Sequence, residues 1–224
     1  MLQKIRHQLQ ELSRRRREKW LQRDVVKARE KAYLEVFGLT TRQVQDWFDK
    51  PFDINFSSPM PTYPAFYLMD DEKIFAVSGA FQIPSDQAEA ILKIAAQDYR
   101  VVGQNQYMQA EDSARRLLLW ARPNHFNGTR IGITTNDLDV CRRVIAYRPS
   151  PLRPWEAFPE LADYGIGFLQ GNIEYWWLTD WDPYWDSLTP AEQEAFMTTV
   201  PAPWKAAFWR YCGEGRGLFE KRGN

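Results

Sequence analysis

The chain has 224 residues, of which 44% are hydrophobic, 15% aromatic and 26% charged, and its formal net charge is zero. These are globular proportions at a length able to bury a real core, and the aromatic share excludes disorder for most of the chain. No run approaches the roughly 20 apolar residues of a membrane helix, and the amino terminus lacks the apolar stretch of a secretory leader, so a cytoplasmic protein is expected.

Residues 2–37 contain neither proline nor glycine and read as one long helix, or two with a break, stopped at Gly38. Leu2, Ile5, Leu9, Leu12, Trp20, Val26, Tyr33 and Phe37 share one broad face at the helical period. The first 38 residues carry six net positive charges, which leaves six net negative charges on the rest. Arg14, Arg15, Arg16 and Arg17 are consecutive, and at about 100° per residue they nearly encircle the helix. Residues 1–50 therefore read as a basic helical arm. It is suited to bind phosphates, to dock on its own acidic body, or to pair with a second copy.

Thr40 or Thr41 caps a short helix through Trp47 and Phe48, ended by Pro51. Pro51, Pro59, Pro61 and Pro64 mark residues 51–64 as the connection to a body spanning 65–212. Two β-rich runs, 65–69 and 74–78, flank the polar stretch Asp70-Asp71-Glu72-Lys73 and read as a hairpin. A helix starting at Pro84-Ser85, a short strand at Arg100-Val101-Val102 and a helix from Met108 to Ala121 follow. Ile131 to Thr134 reads as a strand, and Asn136 as the cap of a helix carrying Val140, Val144 and Ile145.

A second proline-rich connection (Pro149, Pro151, Pro154, Pro159) leads to the aromatic region, where six of the ten tryptophans lie between Trp176 and Trp209. Trp177, Trp181 and Trp185 recur at near-helical spacing, with Pro183 as a break or restart. Thr189-Pro190-Ala191-Glu192 carries the cap, the first-turn proline and the glutamate of a capping box. Pro203 opens a last helix with Trp204, Phe208 and Tyr211 on one face, and residues 213–224 read as a flexible tail. The class is α+β: a small sheet with antiparallel pairing and several helices, between the basic arm and a tryptophan-rich helical C-terminal part.

The chemistry-bearing residues point to no reaction. Asp180, Asp182 and Asp186 lack the glycine and closing glutamate of a calcium loop, and read as helix caps and solvated groups. Asp53 with Asp71, Glu72 and Lys73 offers the residue types of a metal-dependent nuclease, but the last three sit where a charged turn is expected. His125 lies in a loop, and both cysteines read as reduced thiols, Cys141 packing on an apolar helix face and Cys212 ending a helix. No phosphate loop or dinucleotide fingerprint is present, so neither a cofactor nor a metal is expected.

The tryptophan concentration is either a core or a partner surface. The leading functional reading is a non-enzymatic interaction protein, an inhibitor, immunity-type protein or accessory subunit, binding a protein partner through Trp177, Trp181, Tyr184 and Trp185. The alternative is nucleic-acid binding through Arg14, Arg15, Arg16 and Arg17, and the third is a metal-dependent hydrolase or nuclease.

Overall fold

The computed structural model describes residues 24–52, 62–69 and 73–212. Among these, one six-stranded sheet runs in the order β1-β2-β6-β5-β4-β3, every neighbouring pair antiparallel. Its strands are β1 (Tyr67–Leu68), β2 (Val77–Ile83), β3 (Tyr99–Gly103), β4 (Gln106–Gln109), β5 (Arg116–His125) and β6 (Gly128–Thr135). The expected hairpin is present but short, with Tyr67 opposite Ser78 and Leu68 opposite Val77.

Both faces of the sheet are covered, and β5 records it. Leu117 and Leu119 join Phe81, Ile131 and Ile133 under helices α3 (Ala88–Ala95) and α4 (Leu138–Ala146). Leu118, between them, points to the opposite face, where it meets Phe37, Val44, Phe48 and Ile74. Those residues belong to α1 (residues 24–37), to α2 (Thr41–Trp47) and its C-cap Phe48, and to the segment before β2. The described part of the arm is thus docked at its carboxyl end, while Val25 and Val26 stay exposed. Gly38 at φ +66 stops α1, Thr40 forms a capping box with Gln43, and the Glu30 carboxylate accepts from the Thr41 N–H at 2.8 Å. Arg116 stacks over the Trp47 ring at 4.8 Å and donates to the Trp47 carbonyl at 2.8 Å. Phe52 and Tyr63, at the two ends of the expected connection, pack against one and the same core. Residues 1–23, with Arg14 to Arg17, lie outside the described residues, as does the 213–224 tail.

Two sequence expectations are corrected here. Met108 to Ala121 is not a helix: it forms the end of β4, a turn and most of β5. A strand buried on both faces loses its polar alternation, and the leucine run 117–119 then reads equally well as a helix face. The cap of α4 is Asp137, whose Oδ1 accepts from the Asp139 N–H at 3.0 Å. Asn136 instead bridges to β5, accepting from the Arg116 N–H and donating to the Ala114 carbonyl.

Gly132 marks a close approach. A Cβ there would fall 2.0 Å from the Trp120 indole, which lies flat across β6 from the adjacent strand. Gly132→Ala must therefore push Trp120 off the sheet. Denaturant unfolding is expected to show a loss of about 1–3 kcal/mol, and an unchanged midpoint would show that the indole moves freely.

After α4 the chain builds a helical layer: α5 (Pro154–Ala157), α6 (Gly171–Trp176), a π turn (Trp177–Trp181), α7 (Asp182–Ser187), α8 (Pro190–Thr199) and α9 (Ala202–Cys212). Pro183 does not break the chain direction. It occupies the first turn of α7, where a missing N–H is no loss, and the π turn before it widens the helix so that the Asp182 N–H donates to the Trp177 carbonyl. The capping box at Thr189, Pro190 and Glu192 forms as expected. Trp176, Trp177, Trp181 and Trp204 are wholly buried with Phe208. Each such indole removes enough apolar area to contribute about 4–6 kcal/mol at 25 cal/mol per Å².

Candidate functional site

A buried polar lock joins the helical layer to the sheet. Beyond the two-residue β1, the outer edge of β2 has no strand beside it among the described residues, and its polar groups are met by side chains. The Gln82 N–H donates to Asp180 Oδ1 at 3.0 Å, and the Tyr63 hydroxyl donates to the Gln82 carbonyl. Arg130 reaches across from β6 to Asp180, 2.7 Å from Oδ2 and 3.0 Å from Oδ1, and also to the Ala80 carbonyl at 3.4 Å. The Gln82 side chain takes the Trp176 indole N–H at 2.6 Å and donates to the carbonyls of His125 and Phe126. Asp180 is thus neither a cap nor solvated, as its sequence context suggests. It is completely buried, and the π turn places it there. Covering a sheet edge in this way also denies it to other chains.

The β5–β6 turn is the second junction. Phe126 and Asn127 both have positive φ, 46° and 60°, as a tight hairpin turn requires. Phenylalanine rarely adopts this conformation. Packing compensates: the ring lies 5.4 Å from Phe158 and 6.4 Å from Tyr175, and the Asn127 amide donates to the Ala157 carbonyl.

The tryptophans expected to face a partner face inward. Trp177 and Trp181 are 0% exposed and Trp185 is 4% exposed. Packed edge-on or tilted against Phe196, Phe208 and Tyr211, they form a core and present no surface to a partner in this conformation. Helical spacing predicts burial here, and burial is what it delivers. Only Tyr184 of the four reaches a cleft, half-buried.

The other candidates are dispersed. His125 packs edge-on against Phe126 at 4.5 Å, and its buried Nε2 finds no hydrogen-bond partner among the described residues. Burial first, then the Arg130 charge, holds its pKa below the ordinary histidine value, so the ring is neutral at pH 7. Burial pushes the Cys141 thiol up to about 12, which removes it as a nucleophile. Among the described residues no three His, Cys, Asp or Glu side chains converge as a metal site would require. Asp53, Asp71 and Glu72 lie outside those residues. No described helix is long and apolar enough to cross a membrane.

A different aromatic set is exposed on the helical layer. Tyr164, Phe168 and Trp209 are 83%, 78% and 66% exposed. The loop carrying the first two is laid along α9. Gly165, at φ +67, sits so close to Pro203 that a Cβ would fall 2.1 Å from its carbonyl oxygen. Farther along, the Gly167 carbonyl accepts from the Arg210 guanidinium and the Tyr211 hydroxyl. Arg210 lies 5.5 Å from the Phe168 ring. Trp209 and Phe168 are thus neighbours of one arginine, the first in sequence and the second in space. The sequence held the signal for Trp209: it falls one position off the Trp204–Phe208–Tyr211 face, which turns it outward. Nothing local in the sequence distinguished Phe168.

No family model, no curated protein and no solved structure matches this chain.

Proposed function

We propose that the protein is a non-enzymatic binding protein that docks a protein partner on the aromatic surface of its helical layer. The observation that carries this reading is the contrast within one layer. Four tryptophans are withdrawn completely, yet Tyr164, Phe168 and Trp209 are left open to solvent, with Arg210 against the Phe168 ring. Tryptophan, tyrosine and arginine are the residue types that most often anchor interfaces. Lys205 and Arg210 are exposed on the same helix, and α9 carries no acidic residue. An apolar partner patch with an acidic rim would complement it.

The test is affinity capture with the full chain and with Phe168→Ser/Trp209→Ala, each with and without nuclease. Substituting exposed residues should leave stability within about 0.5 kcal/mol of wild type. Recovery of the partner should fall by about tenfold or more, since hot-spot losses commonly exceed 1.4 kcal/mol. Equal recovery by the variant would remove this surface from consideration. Adding the purified chain to the captured partner then separates an inhibitor, which lowers the partner's activity, from an accessory subunit, which supports it.

A further inference from the structure

Between the end of α4 and the α7–α8 pair lies a cleft of about 590 Å³, within the size range of small-molecule sites. Its floor is apolar, made by Ile145, Tyr184, Leu188 and Phe196. Glu192, Ala195, Phe196 and Thr199 follow the three- and four-residue spacing of a helix, so one face of α8 forms a complete wall. The opposite wall is the segment after α4, which carries Arg148 and Arg153.

The charges at the mouth do not cancel. Arg148 donates to Glu192 at 2.6 Å, bridging the two walls. The Glu192 carboxyl is held down at about 2, first by the Thr189 backbone N–H and then by Arg148, so it stays ionised. Arg153 has no carboxylate within ion-pair distance among the described residues, and its guanidinium lies 6.0 Å from the Trp155 ring. Both arginines act on the Tyr184 hydroxyl, which burial and the Glu192 charge keep protonated and able to donate. Arg148 also adopts φ +54, a conformation that favours glycine, yet the position carries the side chain that spans the cleft. Two arginines and one glutamate line the cleft above its apolar floor; Glu156, outside that lining, holds its carboxylate on the Arg153 backbone N–H at 2.9 Å and leaves the guanidinium to the cleft.

We propose that this cleft binds a small monocarboxylate with an apolar or aromatic body. Arg153 and the Tyr184 hydroxyl take the carboxylate, and the body lies on Ile145, Leu188 and Phe196. A neutral hydrophobe would cover Arg153 without pairing it, and a phosphate monoester would bring more negative charge than the site offers. The cleft shares no residue with the Tyr164, Phe168 and Trp209 surface, so the two proposals stand or fall separately.

The experiment is isothermal titration of the full chain with naphthalene-2-carboxylate and, in parallel, naphthalene-2-carboxamide. The carboxylate should bind one to one, with the amide weaker by about tenfold or more, because a charge-assisted pair is replaced by a neutral contact. Arg153→Met should reduce carboxylate affinity to that of the amide and leave the amide unchanged. Ala195→Trp, which fills the cleft from an exposed position, should abolish both, and Trp209→Ala should affect neither. Thermal melts of each variant verify that it is folded. Absence of binding at about 1 mM, near −4.1 kcal/mol, would overturn the proposal. So would equal affinity for the amide, an unaffected Arg153→Met, or binding that survives in Ala195→Trp.

Discussion

Asp180→Ala is expected to lower the unfolding free energy by about 3–5 kcal/mol, the cost of breaking a buried ion pair from one side. The substitution strips Arg130, whose side chain is 14% exposed, of the one carboxylate it pairs with among the described residues, and the Gln82 N–H of its acceptor. Gln82 is completely buried, and Arg130 has only the edge of the cavity lined by Gly79, Leu178 and Thr179 through which to reach water. Asp180→Asn keeps an acceptor and should cost less. The double variant Arg130→Met/Asp180→Leu removes both charges and should recover much of the loss, because a buried pair is worth little against well-packed apolar groups. Urea unfolding of the four proteins decides the matter. A single-alanine loss under about 1 kcal/mol would mean that Arg130 swings out to solvent and that the lock is weaker than its geometry implies.

That lock also bears on what the sequence could reveal. The α+β class, the Gly38 stop, a threonine cap at 40 or 41, the Thr189 capping box and the α3 and α9 faces were legible because their signals are local: caps, prolines and helical periods. β4 and β5 were not. Leu117 to Leu119 acquire strand character only from neighbours on both sides of the sheet, and no single period records two buried faces. Asp180 was misread for a related reason. In a linear window it is one of three acidic residues among aromatics, and its partners, Gln82 and Arg130, are 98 and 50 positions away. The tryptophan spacing contained the right structural answer, a core, while the exposed aromatics that carry the functional proposal stood outside that spacing. The cleft was invisible altogether, since its walls come from segments that meet only in the fold: 145–153 and 184–199.

Trp181→Ala should cost the helical layer as much as Asp180→Ala does, and the effect should be on folding. Six aromatic rings, those of Trp176, Trp177, Tyr184, Trp185, Phe196 and Phe208, have centroids within 6.4 Å of Trp181. Truncation leaves a cavity that so many rigid neighbours cannot close, and the expected cost is about 3–5 kcal/mol, at the upper end if the rings hold their places. Trp181→Phe should be much milder. It retains most of the ring contact and removes a buried indole N–H that has no hydrogen-bond partner among the described residues. The comparison with Trp209→Ala separates the two roles of tryptophan in this chain. Trp209 is 66% exposed, so its loss should leave the melting temperature in place and reduce partner capture. If Trp181→Ala instead melted like wild type and lost only capture, the ring would have to reach the surface in solution, and the inward-facing core would not describe the state that binds. A binding assay on Trp181 or Trp185 alone would confuse these outcomes, because unfolding also abolishes capture. Melting and capture measured on the same variants keep them apart.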